Sequence, residues 1–402
     1  MPGLPAARSV KEFVLSHDVY VTAAARTPVG SFQGQLATMT APELGAHAIQ
    51  GALAAAGLDA SDAAVDEVLI GNVVSAGLRQ APARQAMRIA GLPDAVGATT
   101  VNKVCGSGMK ATMLATDLLR AGSARQIIAG GMESMSNAPY LLAKARGGLR
   151  MGHGELNDAL FTDGLEDAET GGSMGSFAQA TADTHQLTRE AMDAYATESV
   201  QRARRAIESQ ALASEIAPIT LGDATVQDDE QPGRAKLEKI PQLRPAFKKD
   251  GTITAANSSS ISDGASALVL TRGDALDGRK PLARIVGHTT HSLHPSDFTI
   301  APVGAISKLA EQVGWDLADV DLFEINEAFA MVTMLAMQEL GLSHERVNIY
   351  GGACAQGHPI GSTGSRLIVT LAHALVREDK QRGIAALCIG GGEATAIALE
   401  RS

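Results

Sequence analysis

The sequence predicts an α/β protein built from two similar halves with a long segment inserted between them. Apolar, β-rich runs alternate with Ala-rich helical patterns, the signature of strands covered by helices. The same order of anchors recurs in the second half of the 402 residues. With 42 glycines and only 3% aromatic residues, the core must be filled by Ala, Val, Ile, Leu and Met on closely approaching backbones.

The elements follow in order. Val19 to Ala25 reads as a strand, and Pro42 to Leu58 as a helix with Thr40 as its cap and Gly57 near its end. A strand from Val65 to Val74 and a helix from Pro82 to Ile89 come next. A strand ending at Val101 runs into the turn Asn102-Lys103-Val104-Cys105-Gly106-Ser107-Gly108, then a helix to Arg120 and a strand Ile127 to Ala129 closed by Gly130-Gly131. Three anchors repeat: the run from Asp66 matches the run from Asp321, the Asn102 turn matches the turn from Asn348, and Ile127 to Ser134 matches the run from Leu387. Between the halves, from about Ser134 to Thr254, periodicity weakens. Only Arg189 to Ser209 reads clearly as a helix there, so the segment is expected to act as a lid or loop domain.

Composition narrows the function. The 45% apolar and 19% charged residues exclude global disorder and a coiled coil, and the formal charge of −10 speaks against a nucleic-acid partner. No run of about 18 uninterrupted apolar residues suggests a membrane span, and Met1 to His17 lacks the apolar stretch of a signal peptide. Cys105, Cys354 and Cys388 are an odd, widely spaced set, which points to free thiols and a cytoplasmic setting.

Cys105 lies where a strand meets a helix, so N–H groups and the positive dipole end can stabilise a thiolate or an oxyanion. The competing reading is a small buried apolar cysteine. His358, in Gly357-His358-Pro359-Ile360-Gly361, is held at the mouth of a helix in the repeat-related turn, where it can act as base to Cys105. Cys388 ends a strand before Gly390-Gly391-Gly392 and is either a proton shuttle or a core residue. Asn326 either holds an oxygen atom at a strand end or caps the next helix. His288, His291 and His294 lack nearby carboxylate or thiol partners at ligand spacing, so no metal is expected. None of the glycine turns has the dinucleotide-binding spacing.

Nearly end to end, these residues resemble the thiolase family. The resemblance runs through Arg26-Thr27-Pro28-Val29-Gly30, the Cys105 turn, Gly130-Gly131-Met132-Glu133-Ser134, Asn326-Glu327-Ala328-Phe329-Ala330, Gly357-His358-Pro359 and Cys388-Ile389-Gly390. It implies a duplicated five-layered α/β/α/β/α fold: an N-terminal half at 18–133 with 255–277, a loop domain at 134–254, a C-terminal half at 278–402, and an extension at 1–17. It also implies a homodimer or homotetramer that catalyses reversible Claisen condensation of acyl-CoA thioesters. Coenzyme A is then a substrate or product, with no permanently bound cofactor.

By that resemblance Cys105 is acylated, His358 activates it, and Cys388 moves the α-proton. One oxyanion hole is the N–H pair of Cys105 and Gly390, and the other is His358 with a water held by Asn326. Ser259, Ala328, Phe329 and Met174 match positions along the pantetheine arm, and Arg234 matches a family arginine after a small shift. Arg234, Lys236, Lys239, Arg244, Lys248 and Lys249 form the one basic cluster and suit a nucleotide phosphate, against the alternative of a solvated loop face.

Ser173 stands where short-chain members carry His, and the family Met near Phe298 is replaced. Tyr350, Cys354 and Gln356 replace the usual residues before Gly357, and Glu393-Ala394 replaces a smaller pair. Acyl-chain preference therefore stays open between acetoacetyl-CoA and longer 3-ketoacyl-CoA. Two further alternatives are a decarboxylating condensing enzyme, which should lack Cys388, and a silent CoA- or lipid-binding scaffold.

Overall fold

The computed structural model describes residues 17–61 and 64–402, so the expected extension at 1–17 lies outside the described residues except for His17. The N-terminal half consists of β1 (Val19–Arg26), α1 (Ala41–Ala55), β2 (Glu67–Gly71), α2 (Pro82–Ile89), β3 (Gly97–Val101), α3 (Ser107–Arg120) and β4 (Gln126–Ser134). The inserted segment holds α4 (Met174–Thr184) and α5 (Arg189–Glu208). After it, β5 (Ser262–Arg272) returns to the first half. The second half is β6 (Ala283–Ser292), α6 (Ala301–Val313), β7 (Leu322–Ile325), α7 (Ala330–Leu340), α8 (Ile360–Arg377), β8 (Arg382–Ile389) and β9 (Glu393–Arg401). Among the described residues, no helix is long and apolar enough to cross a membrane.

The repeat is written in the strand order, β7-β8-β9-β6-β1-β5-β4-β2-β3. Counted outward from the β1–β6 join, each half places one antiparallel strand and then a strand that is parallel to its outer neighbour. The join spans only Val19–Val21 against Ala283–Ile285. The halves differ at the rim, where β3 pairs in full with β2 but its counterpart is reduced to a single bridge from Phe323 to Val347.

Three apolar cores make the five layers. One, with Leu44, Ile49, Val68 and Ile128, lies between α1 and α2 and the first half's strands. Another, with Ile306, Leu309, Phe323 and Ile384, lies under α6. The central core gathers Met109, Leu119, Leu367, Leu371, Leu268 and Leu399, so α3 and α8 are sandwiched between strands of both halves. These two helices cross at glycines: a Cβ on Gly108 would sit 2.4 Å from Ser365 Oγ, and one on Gly364 would sit 2.5 Å from the Met109 nitrogen. That close crossing brings both helix N-termini, with Cys105 and His358 just before them, to one end of the molecule.

Several boundaries differ from expectation for local reasons. Helix α1 stops at Ala55, not Leu58, because Gly57 turns left-handed (φ +67°) and the Leu58 N–H folds back to the Leu53 carbonyl. Strand β2 is shorter than 65–74 because Asn72, Val73 and Val74 turn aside to bond Glu133. Strand β4 runs on through Gly130-Gly131 to Ser134, since Gly130 admits the facing β5 backbone and Gly131 the first turn of α8 without ending the ladder. The insertion holds a second helix, α4. Its start is set by Ser173, whose hydroxyl accepts the Ser176 N–H, a capping signal too short to register against weak periodicity.

Candidate active site

Cys105 sits on a tightly held turn. The Asn102 side chain accepts the Val104 N–H at 3.0 Å, and Ser107 Oγ accepts the Lys103 N–H at 2.8 Å while donating to the Val104 carbonyl at 2.6 Å. Val104 is held at φ +45°, an uncommon conformation for a β-branched residue and a mark of a backbone bent for a purpose. Burial pushes the Cys105 thiol up, and the N–H groups of Gly390 and of Cys105 itself, directed at the sulfur, pull it back toward the thiolate. The residue remains partly exposed, so a substrate can reach it.

His358 precedes α8 after Gly357, where φ is +103° and a Cβ would sit 2.1 Å from Ser262 Oγ, leaving no room for a side chain. Its N–H donates to the Ser260 carbonyl at 3.0 Å. Nδ1 lies 2.6 Å from Thr363 Oγ1, and that hydroxyl is 3.0 Å from the Pro359 carbonyl. Both contacts are satisfied when Thr363 donates to the carbonyl and Nδ1–H donates to Thr363, which leaves Nε2 as the basic nitrogen. Among the described residues, Nε2 has no hydrogen-bond partner. Burial, with a smaller contribution from Arg366, pushes the imidazole down to about 3, so it rests neutral.

This depression has a measurable consequence. The folded state binds fewer protons than the unfolded chain between about 3 and the ordinary 6.5, so acid removes stability across that window. Buried Glu133 and Glu324, raised to about 7 and about 8, act with opposite sign and favour the fold below those values. Comparing the protein with a His358→Asn variant cancels the carboxylates. As pH falls from 6.5 toward 4, the variant should gain stability relative to the parent by roughly 1.4 kcal/mol per pH unit in chemical denaturation. A pH-independent difference would contradict a neutral buried imidazole.

Cys388 is fully buried near the end of β8, packed with Met174, Phe298, Ala328, Phe329 and Met331. Burial raises its thiol well above the ordinary value, and the neighbouring Cys105 raises it further, which places the two sulfurs in one electrostatic environment. Asn326 follows β7, and its N–H reaches the Ala386 carbonyl at 3.0 Å. It is not a helix cap, because α7 begins at Ala330 with Phe329 in the cap position. Among the described residues, neither polar atom of its buried side chain has a hydrogen-bond partner, an arrangement that favours a polar ligand or water there.

Segment 257–260 strings these parts together. Ala330 N–H donates to the Asn257 carbonyl, Ser258 bridges to Phe329, and the Ser259 N–H and hydroxyl both reach the Ala328 carbonyl at 3.0 Å. Phe247 meets Phe329 edge to face, 6.1 Å between centroids, and Met174 Sδ lies against Gly390. A cavity of about 300 Å³ opens beside this segment, lined by Arg234, Lys236, Lys239, Ala256, Ser260 and Cys354. The basic cluster thus splits: three cations face the cavity, Arg234 while paired to Glu230 at 2.6 Å, whereas Lys248 is drawn to Asp183. Cys354 contacts the Glu327 carbonyl, and burial raises its thiol well above the ordinary value. His288 pairs with Asp117 and His294 with Ser296, so two of the three imidazoles turn to separate partners.

Sequence reasoning passed over Glu133. This fully buried carboxylate accepts from Asn72 Nδ2 (2.7 Å), Val73 N–H (3.1 Å), Val74 N–H (3.1 Å) and Gly361 N–H (2.8 Å). It ties the end of β2 and of β4 to the start of α8, directly behind His358. The signal was a lone acid inside an otherwise apolar and glycine-rich strand end, which is anomalous unless the acid is fully hydrogen-bonded.

A thiol faced by two N–H groups, with a neutral imidazole and a second thiol on the same doubled α/β frame, is an arrangement suited to acyl transfer. The thiolase N-terminal domain matches residues 19–274 and the thiolase C-terminal domain residues 279–401, and the chain belongs to the thiolase family. It is 46% identical to an acetyl-CoA acetyltransferase of Schizosaccharomyces pombe, over 96% of this chain and 100% of that one. An acetyl-CoA acetyltransferase of Pseudomonas aeruginosa is 48% identical, over 96% and 99%. Among solved structures, a thiolase of Ascaris suum in complex with coenzyme A superposes with a TM-score of 0.91 at 41% identity, covering 96% and 100%. Human mitochondrial 3-ketoacyl-CoA thiolase in complex with CoA gives 0.93 at 37%, covering 96% and 99%.

Proposed function

We propose that this chain is an acetyl-CoA acetyltransferase that interconverts two acetyl-CoA with acetoacetyl-CoA and CoA through an acetylated Cys105. The observation that carries this reading is the Cys105 thiol facing the N–H groups of Cys105 and Gly390. In this scheme His358 Nε2 takes the thiol proton, the thiolate attacks the thioester carbonyl, and the two N–H groups hold the oxyanion until CoA thiolate leaves. The imidazolium returns its proton to the leaving sulfur. Cys388 then removes a proton from the α-carbon of the second acetyl-CoA, and the enolate oxygen is held by His358 and a water on Asn326. The enolate carbon attacks the acetyl carbonyl on Cys105, the carbon–sulfur bond breaks to release acetoacetyl-CoA and the Cys105 thiolate, and the proton held by Cys388 returns to that thiolate.

The cavity beside Ser260, with Arg234, Lys236 and Lys239, suits the nucleotide end of CoA, and we assign the pantetheine arm to Ser259, Ala328, Phe329 and Met174, the last three of which share an apolar cluster with Cys388. Three free cysteines agree with a cytoplasmic setting. The half-exposed edge strand β3 supports self-association as a homodimer or homotetramer, because pairing with a second copy covers its open ladder.

Asn326→Ala should leave acetylation of Cys105 within about threefold of the parent and slow condensation roughly 10²–10³-fold. Single-turnover acetylation and steady-state condensation check this; equal slowing of both steps would refute the role of Asn326. The substrate assignment is tested by cleavage of acetoacetyl-CoA with free CoA beside a longer 3-ketoacyl-CoA. Preference for the longer substrate would move the assignment to fatty-acid degradation. Binding of CoA without cleavage of either would favour a silent scaffold.

A further inference from the structure

We propose that Lys103 and Glu393 are positioning residues for acyl transfer, their ion pair holding the Cys105 and Gly390 N–H groups at the spacing an oxyanion requires. The inference rests on the oxyanion role given to those two groups above. The N–H groups come from different halves of the fold: Cys105 from the turn before α3, Gly390 from the turn between β8 and β9. The second turn is soft by composition, with Gly391 and Gly392 at φ +93° and +89°, conformations that glycine tolerates but does not enforce.

Both turns are pinned locally. The Leu293 N–H donates to the Gly392 carbonyl at 2.7 Å, and the Lys103 carbonyl accepts the Gly106 N–H at 3.0 Å. Glu393 joins the two pinned turns: Oε1 accepts the Ser292 hydroxyl at 3.2 Å, and Oε2 pairs with Lys103 Nζ. Among the described residues this is the one hydrogen bond that joins two side chains between 102–108 and 389–393. Lys103 is 19% exposed and Glu393 32%, so the pair is partly shielded and should hold better than a fully solvated one. Glu393 is also one of the positions where this sequence departs from the small residues that the family resemblance leads one to expect.

The test uses Glu393→Gln, Lys103→Met and the exchanged pair Lys103→Glu with Glu393→Lys. Each is assayed for single-turnover acetylation of Cys105, KM, alkylation of Cys105 by iodoacetamide, and thermal midpoint. Alkylation forms no oxyanion, so it separates geometry of the hole from reactivity of the thiol. The single variants should acetylate roughly tenfold more slowly with KM and alkylation within about twofold of the parent. The exchanged pair should recover most of the rate, and high salt should slow the parent toward Glu393→Gln. Unchanged acetylation, a loss shared equally with alkylation, or no recovery in the exchanged pair would overturn the clamp. If the parent itself forms no acetyl-Cys105, the enzyme assignment fails instead.

Discussion

Cys105→Ala is expected to remove thiolysis of acetoacetyl-CoA almost completely, a loss on the order of 10⁴–10⁶, while the protein still folds and binds CoA. The size of the loss follows from what the thiol does. In the proposed mechanism it forms the covalent intermediate, so its deletion closes the path and leaves only the slow direct attack of CoA within an oriented site. The fold should tolerate the change, because Cys105 lies at the partly exposed rim of the central core. Steady-state thiolysis and calorimetric binding of CoA check both halves of the statement. Activity within tenfold of the parent would mean that another group carries the acyl chain.

Cys388→Ala is expected to divide the reaction, with acetylation of Cys105 within about fivefold of the parent and condensation slowed roughly 10³–10⁴-fold. Carbon acids exchange protons slowly, and in the proposed scheme the Cys105 thiol is already committed as nucleophile. Burial first, and Cys105 second, hold the Cys388 thiol neutral, so acylation of Cys105 removes one of the two influences that oppose its thiolate. Exchange of the acetyl-CoA α-protons with deuterated water isolates this step. Exchange at the parental rate in Cys388→Ala would assign the proton transfer to another group.

Much of the fold was legible because the repeat is carried by apolar periodicity, which sequence displays directly. The doubled order of strands, the helices behind Cys105 and before β8, and the glycine-rich turns all follow from that pattern. What stayed hidden was set by tertiary contacts. The early end of β2 depends on Glu133, a residue about 60 positions away in sequence, and the run of β4 through its glycines depends on the facing backbone of β5. Helix α4 was missed because small polar residues interrupt its apolar stripe and its first turn packs through Gly175 against Phe247.

The site divides in the same way. Cys105, His358 and Cys388 stand at strand ends or helix mouths that the sequence marks with glycine and proline. Asn326 was left between two roles, and only the position of Phe329 at the start of α7 removes the capping alternative. Thr363, which selects the basic nitrogen of His358, lies one helical turn beyond it and looks like any helix threonine in sequence. The Lys103–Glu393 pair spans 290 positions and has no local signature.

The central claim is that acyl transfer passes through Cys105, and the most direct measurement is mass spectrometry of the protein quenched in acid after mixing with acetoacetyl-CoA without free CoA. One acetyl group should appear on the peptide containing Cys105 and should be discharged when CoA is added before the quench. Turnover with that peptide unmodified, or with the acetyl group on Cys388 or Cys354 instead, would contradict the account.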